Sequence, residues 1–144
     1  MKKYIFGILI ILIIAVLAVS VAIYGSKKSD NDKNIEFLKG YGWEVDENPI
    51  EQCEIKIPER FDDVYENYNF LQKEAGLDLT PYSGCEGIRY TYILKNFPYT
   101  ISEQVRANVI TIDHKPVAGD IMVVSVNGFM YSLNFNEKVC IALK

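Results

Sequence analysis

The sequence predicts an α+β fold: a two-layer sandwich of an antiparallel sheet with one long and one short helix, set behind an N-terminal transmembrane helix. Three stretches predict it. Tyr4 to Tyr24 is an unbroken apolar run without a charge. Pro58 to Leu79 repeats apolar residues at spacings of three and four, the mark of a helix with one dry face. From Gly87 onward, runs of alternating side chains separated by short turn signals read as consecutive antiparallel strands.

The apolar run is long enough, as a helix, to cross a hydrocarbon core of about 30 Å. Lys2 and Lys3 precede it, and Lys27 and Lys28 follow it. Two readings stay open for residues 1–24. One is an uncleaved membrane anchor. The other is a signal segment cleaved near Ser20-Val21-Ala22, which leaves a secreted protein. The length of the run favours the anchor. A short N-terminal tail before a first span stays inside, so the reading is a single-pass protein of the cell membrane with its C-terminal domain outside. The membrane is then a partner through residues 4–24. Residues 25–33 (GSKKSDNDK) form a short polar tether, and residues 34–144 form the extracytoplasmic α+β domain.

Within that domain, Asn34 to Tyr41 reads as a short helix, with Asn31, Asp32 or Asn34 able to cap it. Ile50 to Ile57 alternates Cys53, Ile55 and Ile57 with Glu54 and Lys56, as a half-buried strand does. The long helix follows. Pro58 suits its first turn, and Phe61, Val64, Tyr65, Tyr68, Leu71 and Ala75 form its dry face. Gly76 can adopt the left-handed conformation that ends it. The strands are expected over Gly87–Asn96, Val105–Ile112, Val117–Val126 and Phe129–Phe135, with a short edge strand or loose tail over Val139–Leu143. Asp113-His114-Lys115 and Asn127-Gly128 are the turns between them. Both helices are expected on one face of the sheet, which leaves the other face uncovered.

Composition excludes some functions. The chain carries 15 Lys and Arg against 19 Asp and Glu. Without Lys2 and Lys3 the net charge is −6, and no basic cluster interrupts it. Nucleic acid is therefore not an expected partner. No phosphate-binding glycine loop, GxSxG or HExxH occurs, and no cofactor is implied. No catalytic set stands out. His114 is the only histidine and falls in a turn, and its spacing from Cys53, Cys85 and Cys140 matches no compact zinc pattern. A Cys85–Cys140 or Cys53–Cys85 disulfide is conceivable outside the cell. Asp62, Asp63 and Glu66 are a solvated helix face with negative charge at the positive end of the dipole.

Two binding features remain. Arg89 and Arg106, if they project from adjacent strands onto the open sheet face, can hold an anionic group. Tyr90 and Tyr92 belong to a tyrosine-rich seam suited to a peptide or glycan. The functional reading is a non-enzymatic module that binds a peptide, an envelope component or a partner protein. The alternative is a cell-envelope hydrolase using acidic residues on the open face, such as Asp120 and Glu103.

Several phrases together carry a resemblance. They are NIEFLKGYGWEV (34–45), IPERFDDVYENYNFLQKEAGLDLTPYSG (57–84), IRYTYILKNFP (88–98), VRANVITIDHKPVAGDI (105–121) and NGFMYSL (127–133). Over roughly residues 34–133 the chain resembles the DUF4830 family, small domains of unknown function found mainly in Firmicutes. The resemblance implies a domain behind an N-terminal membrane or signal segment. It supplies no active-site residues. The chain departs from the family's usual form after Gly119-Asp120, where Ile121 to Val124 is more apolar.

Overall fold

The computed structural model describes residues 12–16, 28–126 and 128–135. The element order is α1 (Asp30–Gly40), β1 (Glu51–Lys56), α2 (Asp63–Glu74), a 3-10 turn at Thr80–Tyr82, β2 (Glu86–Ile93), β3 (Gln104–Ile112), β4 (Lys115–Val124) and β5 (Met130–Ser132). The five strands form one antiparallel sheet in the order β1-β2-β3-β4-β5. Every strand lies beside its neighbour in sequence; β1 and β2 are joined through α2, and the later strands by shorter connections.

α1 begins at Asp30, inside the stretch 25–33 that was expected to be an irregular polar linker. Ser29 caps it. Its hydroxyl accepts from the Asp32 N–H at 3.1 Å, and the Asp32 carboxylate accepts from the Ser29 N–H at 3.2 Å. This reciprocal pair satisfies two helix-end donors at once. The start of α2 also moves. Pro58 lies before the helix, and Asp62 caps it by accepting from the Tyr65 N–H at 2.8 Å. Gly76, at φ +75°, ends it as anticipated.

The dry face of α2 differs from its apolar pattern. Val64 is 74% exposed, whereas Asn69 and Gln72 are buried. Asn69 accepts from the Leu79 N–H at 2.8 Å and donates to Asp78 at 2.9 Å, which ties the turn after the helix back onto it. Gln72 accepts from the Gly119 N–H at 2.9 Å. Polar side chains stand here because α2 packs where backbone groups need partners.

The apolar core is split between the two faces of the sheet. Tyr90, Tyr92, Leu94, Val105, Ala107, Val109 and Ile121 form one cluster with Leu38 of α1 and Trp43. Ile110, Ile112 and Ala118 form the other with Ile57 and Leu79, against which Tyr65 and Tyr68 of α2 pack. Val109 and Ile110 are neighbours on one strand, so their clusters lie on opposite faces. The expected two-layer arrangement with both helices on one face is thus corrected. The physical reason is that the later part of β3 carries Val109 on one side and Ile110 and Ile112 on the other, so both sides need cover. The C-terminal end of α2 reaches the first cluster through Ala75, so the helix straddles the β4–β5 side of the sheet.

Two local features set the strand geometry. Asp113 and His114 both have positive φ, 48° and 62°, as a two-residue hairpin turn requires. The β3–β4 register shifts between Ile110 and Thr111, a bulge beside Ala118. At Gly119 a Cβ would stand 2.7 Å from the Asn108 carbonyl oxygen and 2.9 Å from Leu133 Cδ1. Gly119→Ala is therefore expected to lower stability by about 1–3 kcal/mol. Urea unfolding followed by the fluorescence of Trp43, the single tryptophan, checks this.

The anticipated span at residues 4–24 lies mostly outside the described residues. Residues 12–16 are helical and exposed. Among the described residues no helix is long and apolar enough to cross a membrane. Asn127 and the anticipated strand at Val139–Leu143 also lie outside them.

Candidate functional site

The strand register lines up one polar residue from every strand. Glu51 pairs with Thr91, Thr91 with Asn108, Asn108 with Asp120, and Asp120 with Ser132. Facing residues in an antiparallel sheet project to the same side, so these five side chains cross the sheet as a row on the face that packs against Tyr68. The central part is joined by hydrogen bonds. Thr91 Oγ1 donates to Asn108 Oδ1 at 2.8 Å, Asn108 Nδ2 donates to Asp120 Oδ1 at 2.8 Å, and the Tyr68 hydroxyl donates to Asp120 Oδ2 at 3.0 Å. Both oxygens of the Asp120 side chain are engaged.

Asp120 is 2% exposed. Burial pushes its carboxyl above the usual carboxylate range, against the pull of Asn108, Tyr68 and the Arg89 charge. The Tyr68 ring is half-buried, but its hydroxyl sits deep. Burial and then the neighbouring Asp120 raise that hydroxyl well above its ordinary value, so it remains a donor.

Arg89 and Arg106 flank this row. Arg89 lies two residues from Thr91 on β2, and Arg106 two residues from Asn108 on β3, on opposite sides of the row and on the same face. Arg89 forms an ion pair with Glu51 at 3.1 Å, and its Nε is buried without a partner. Arg106 Nε donates to Gln104 Oε1 at 2.8 Å. Among the described residues Arg106 has no ion-pair partner. Both arginines line a groove of about 810 Å³ between α2 and the sheet, with Asp120, Met122 and Met130. The volume falls within the range of small-molecule sites.

The two tyrosines of the seam lie apart from this groove. Tyr90 and Tyr92 are buried on the opposite face, because they alternate with Arg89 and Thr91 along β2. The Tyr92 hydroxyl donates to Asn31 Oδ1 at 3.0 Å and accepts from Asn34 Nδ2 at 3.3 Å, and burial pushes it up to about 12. Its work is to seat α1.

The other candidates are dispersed. Glu103 is exposed, accepts from the Ser102 hydroxyl at 3.0 Å, and lines a separate hollow with Phe97 and Phe129. The structure does not bring it to Asp120. The other carboxylate of the groove, Glu51, stands three strand spacings from Asp120. That is about 14 Å, beyond the span over which two carboxylates cooperate in glycoside hydrolysis. Cys53 and Cys85 are free thiols, and Cys140 lies outside the described residues. His114 is largely exposed, with Nδ1 2.9 Å from an Asp30 oxygen. Among the described residues no group of three or more His, Cys, Asp and Glu side chains could hold a metal ion.

With this geometry in view, a family model described as a domain of unknown function, DUF4830, matches residues 37–121. The chain belongs to the DUF4830 family. No curated protein and no solved structure matches it. The DUF4830 match takes in Thr91, Asn108, Asp120 and both arginines. It ends at Ile121, so β5, with Met130 and Ser132, lies beyond it.

Sequence reasoning placed the two arginines on one face but missed the row between them. Asn108 carried one signal, a lone amide inside the apolar run VRANVITI. Asp120 carries no local signal of this role, because its partners are set by strand register and by the packing of α2.

Proposed function

We propose that this protein is a membrane-tethered extracytoplasmic module that binds a peptide, an envelope component or a partner protein, and that the groove between α2 and the sheet is its binding surface. The charge-free run Tyr4–Tyr24 and the polar stretch after it support the tether. One observation carries the binding reading: two arginines flank a floor whose polar groups are already paired with one another. Such a floor is held rigid, and Arg106, which has no ion-pair partner among the described residues, stays available to an incoming anion. A hydrolase built on Asp120 and Glu103 draws no support from this geometry.

The test uses the full-length protein in intact cells, with a photo-crosslinking side chain at position 64 over the groove or at position 47 on an exposed loop. The expected result is a defined adduct from position 64 alone. Equal or absent adducts at both positions would remove the groove as the binding surface. Labelling of a Ser125→Cys variant by an impermeant thiol reagent checks location. Labelling only after lysis would put the domain inside the cell.

A further inference from the structure

The groove has a polar end and an apolar side. One residue row beyond Asn108, β3, β4 and β5 contribute Arg106, Met122 and Met130, which face one another in register. Val64 on the α2 rim is 74% exposed and Met130 is 42% exposed. Both line the same groove as Arg106.

The charges of the groove do not cancel. Its lining carries Lys56, Arg89 and Arg106 against Glu51 and Asp120. Glu51 is taken up by Arg89, and Asp120 is enclosed by Asn108 and Tyr68. Among the described residues Lys56 and Arg106 have no ion-pair partner. A domain of negative net charge therefore holds a local cationic groove, and within it only one guanidinium stands next to the apolar side.

We infer that the groove binds a small monoanionic amphiphile, a carboxylate on an apolar chain, with its head at Arg106 and its chain along Met122 and Met130. This rests on the groove being the binding surface proposed above. A planar guanidinium matches a carboxylate through two parallel hydrogen bonds, and Asn108, its amide oriented by Thr91 and Asp120, stands beside that end. The geometry favours a small ligand over an extended peptide. The groove opens onto the face of the sheet under α2, whereas strand addition needs a sheet edge. The edge at β1 is lined by charged Glu51, Glu54 and Lys56, a pattern that discourages pairing.

Three methionines, Met1, Met122 and Met130, provide the readout. Full-length protein labelled with 13C at its methionine methyl groups, held in lipid nanodiscs, is titrated with octanoate and with octanol. Octanoate is expected to shift the Met122 and Met130 signals and leave Met1 in place. Arg106→Gln should weaken octanoate by about tenfold or more, the worth of a charge-assisted contact, and leave octanol unchanged. Met130→Gln, on the exposed rim, should weaken octanoate without adding a charge beside the guanidinium. Urea unfolding followed by Trp43, with a midpoint like that of the parent, shows that both variants are folded. Equal affinity for octanoate and octanol, an Arg106→Gln response like that of the parent, or a shift confined to Met1 would overturn the inference. A position-64 adduct without octanoate binding would overturn it alone and leave the binding-module reading in place.

Discussion

Asp120→Ala is expected to be among the most damaging single substitutions in the domain. It removes the acceptor for both Asn108 and Tyr68 and leaves two buried donors without partners. Each such orphan costs about 1–3 kcal/mol, so the loss should reach about 3–5 kcal/mol. Urea unfolding followed by Trp43 measures it, and a loss below about 1 kcal/mol would mean that the row is not a structural unit. Asp120→Asn keeps the shape and should lose less. The pair also separates charge from shape. The Asp120 carboxyl is raised above its ordinary value of 3.8, so the folded state holds the proton more tightly than the unfolded chain does. The stability this contributes is complete below pH 3.8 and fades as pH rises through the folded value. Stability relative to Asp120→Asn should therefore fall as pH rises across that window. A flat difference would show that Asp120 titrates normally.

Leu38→Ala is the second large effect. Leu38 is fully buried in the first cluster and is the deepest apolar contact of α1. Truncation of such a side chain costs about 2–5 kcal/mol, according to how far the cavity collapses. The consequence is more than lost stability. α1 is the first described element of the folded domain, so a loosened α1 loosens the link between the domain and all that precedes it. Hydrogen exchange of the α1 amides should accelerate in this variant before that of β3 does. Uniform acceleration would show that α1 has no separate opening.

Much of the sheet was legible because alternation is a local property. Tyr90, Tyr92 and Leu94 alternate along β2 and the residue after it, which puts them on one face, and they share a core cluster. Helix starts were less legible, since they depend on which of several polar residues donates the cap. The sequence offers Asn31, Asp32 or Asn34 as the first cap and Pro58 for the first turn of the second helix, whereas the structure uses Ser29 with Asp32 and, for α2, Asp62. The burial of Asn69 and Gln72 was not readable, because their partners, the amides of Leu79 and Gly119, are set by tertiary packing. The site shows the same division. That Arg89 falls opposite Thr91's flank of the row and Arg106 on the other follows from register, and register between distant strands is not written in either strand.

The order of the strands carries a consequence for the chain as it is made. β3 and β4 are joined by two residues, and closing so short a loop costs little entropy. Trp43 instead donates its indole N–H to the Leu133 carbonyl, 90 positions further along. α1 and the loop behind it leave the ribosome first, yet the residue just past β5 completes the seat of Trp43. A nascent chain cut short of Leu133 leaves the indole N–H without that partner, so one of the earliest residues of the domain waits for one of the latest.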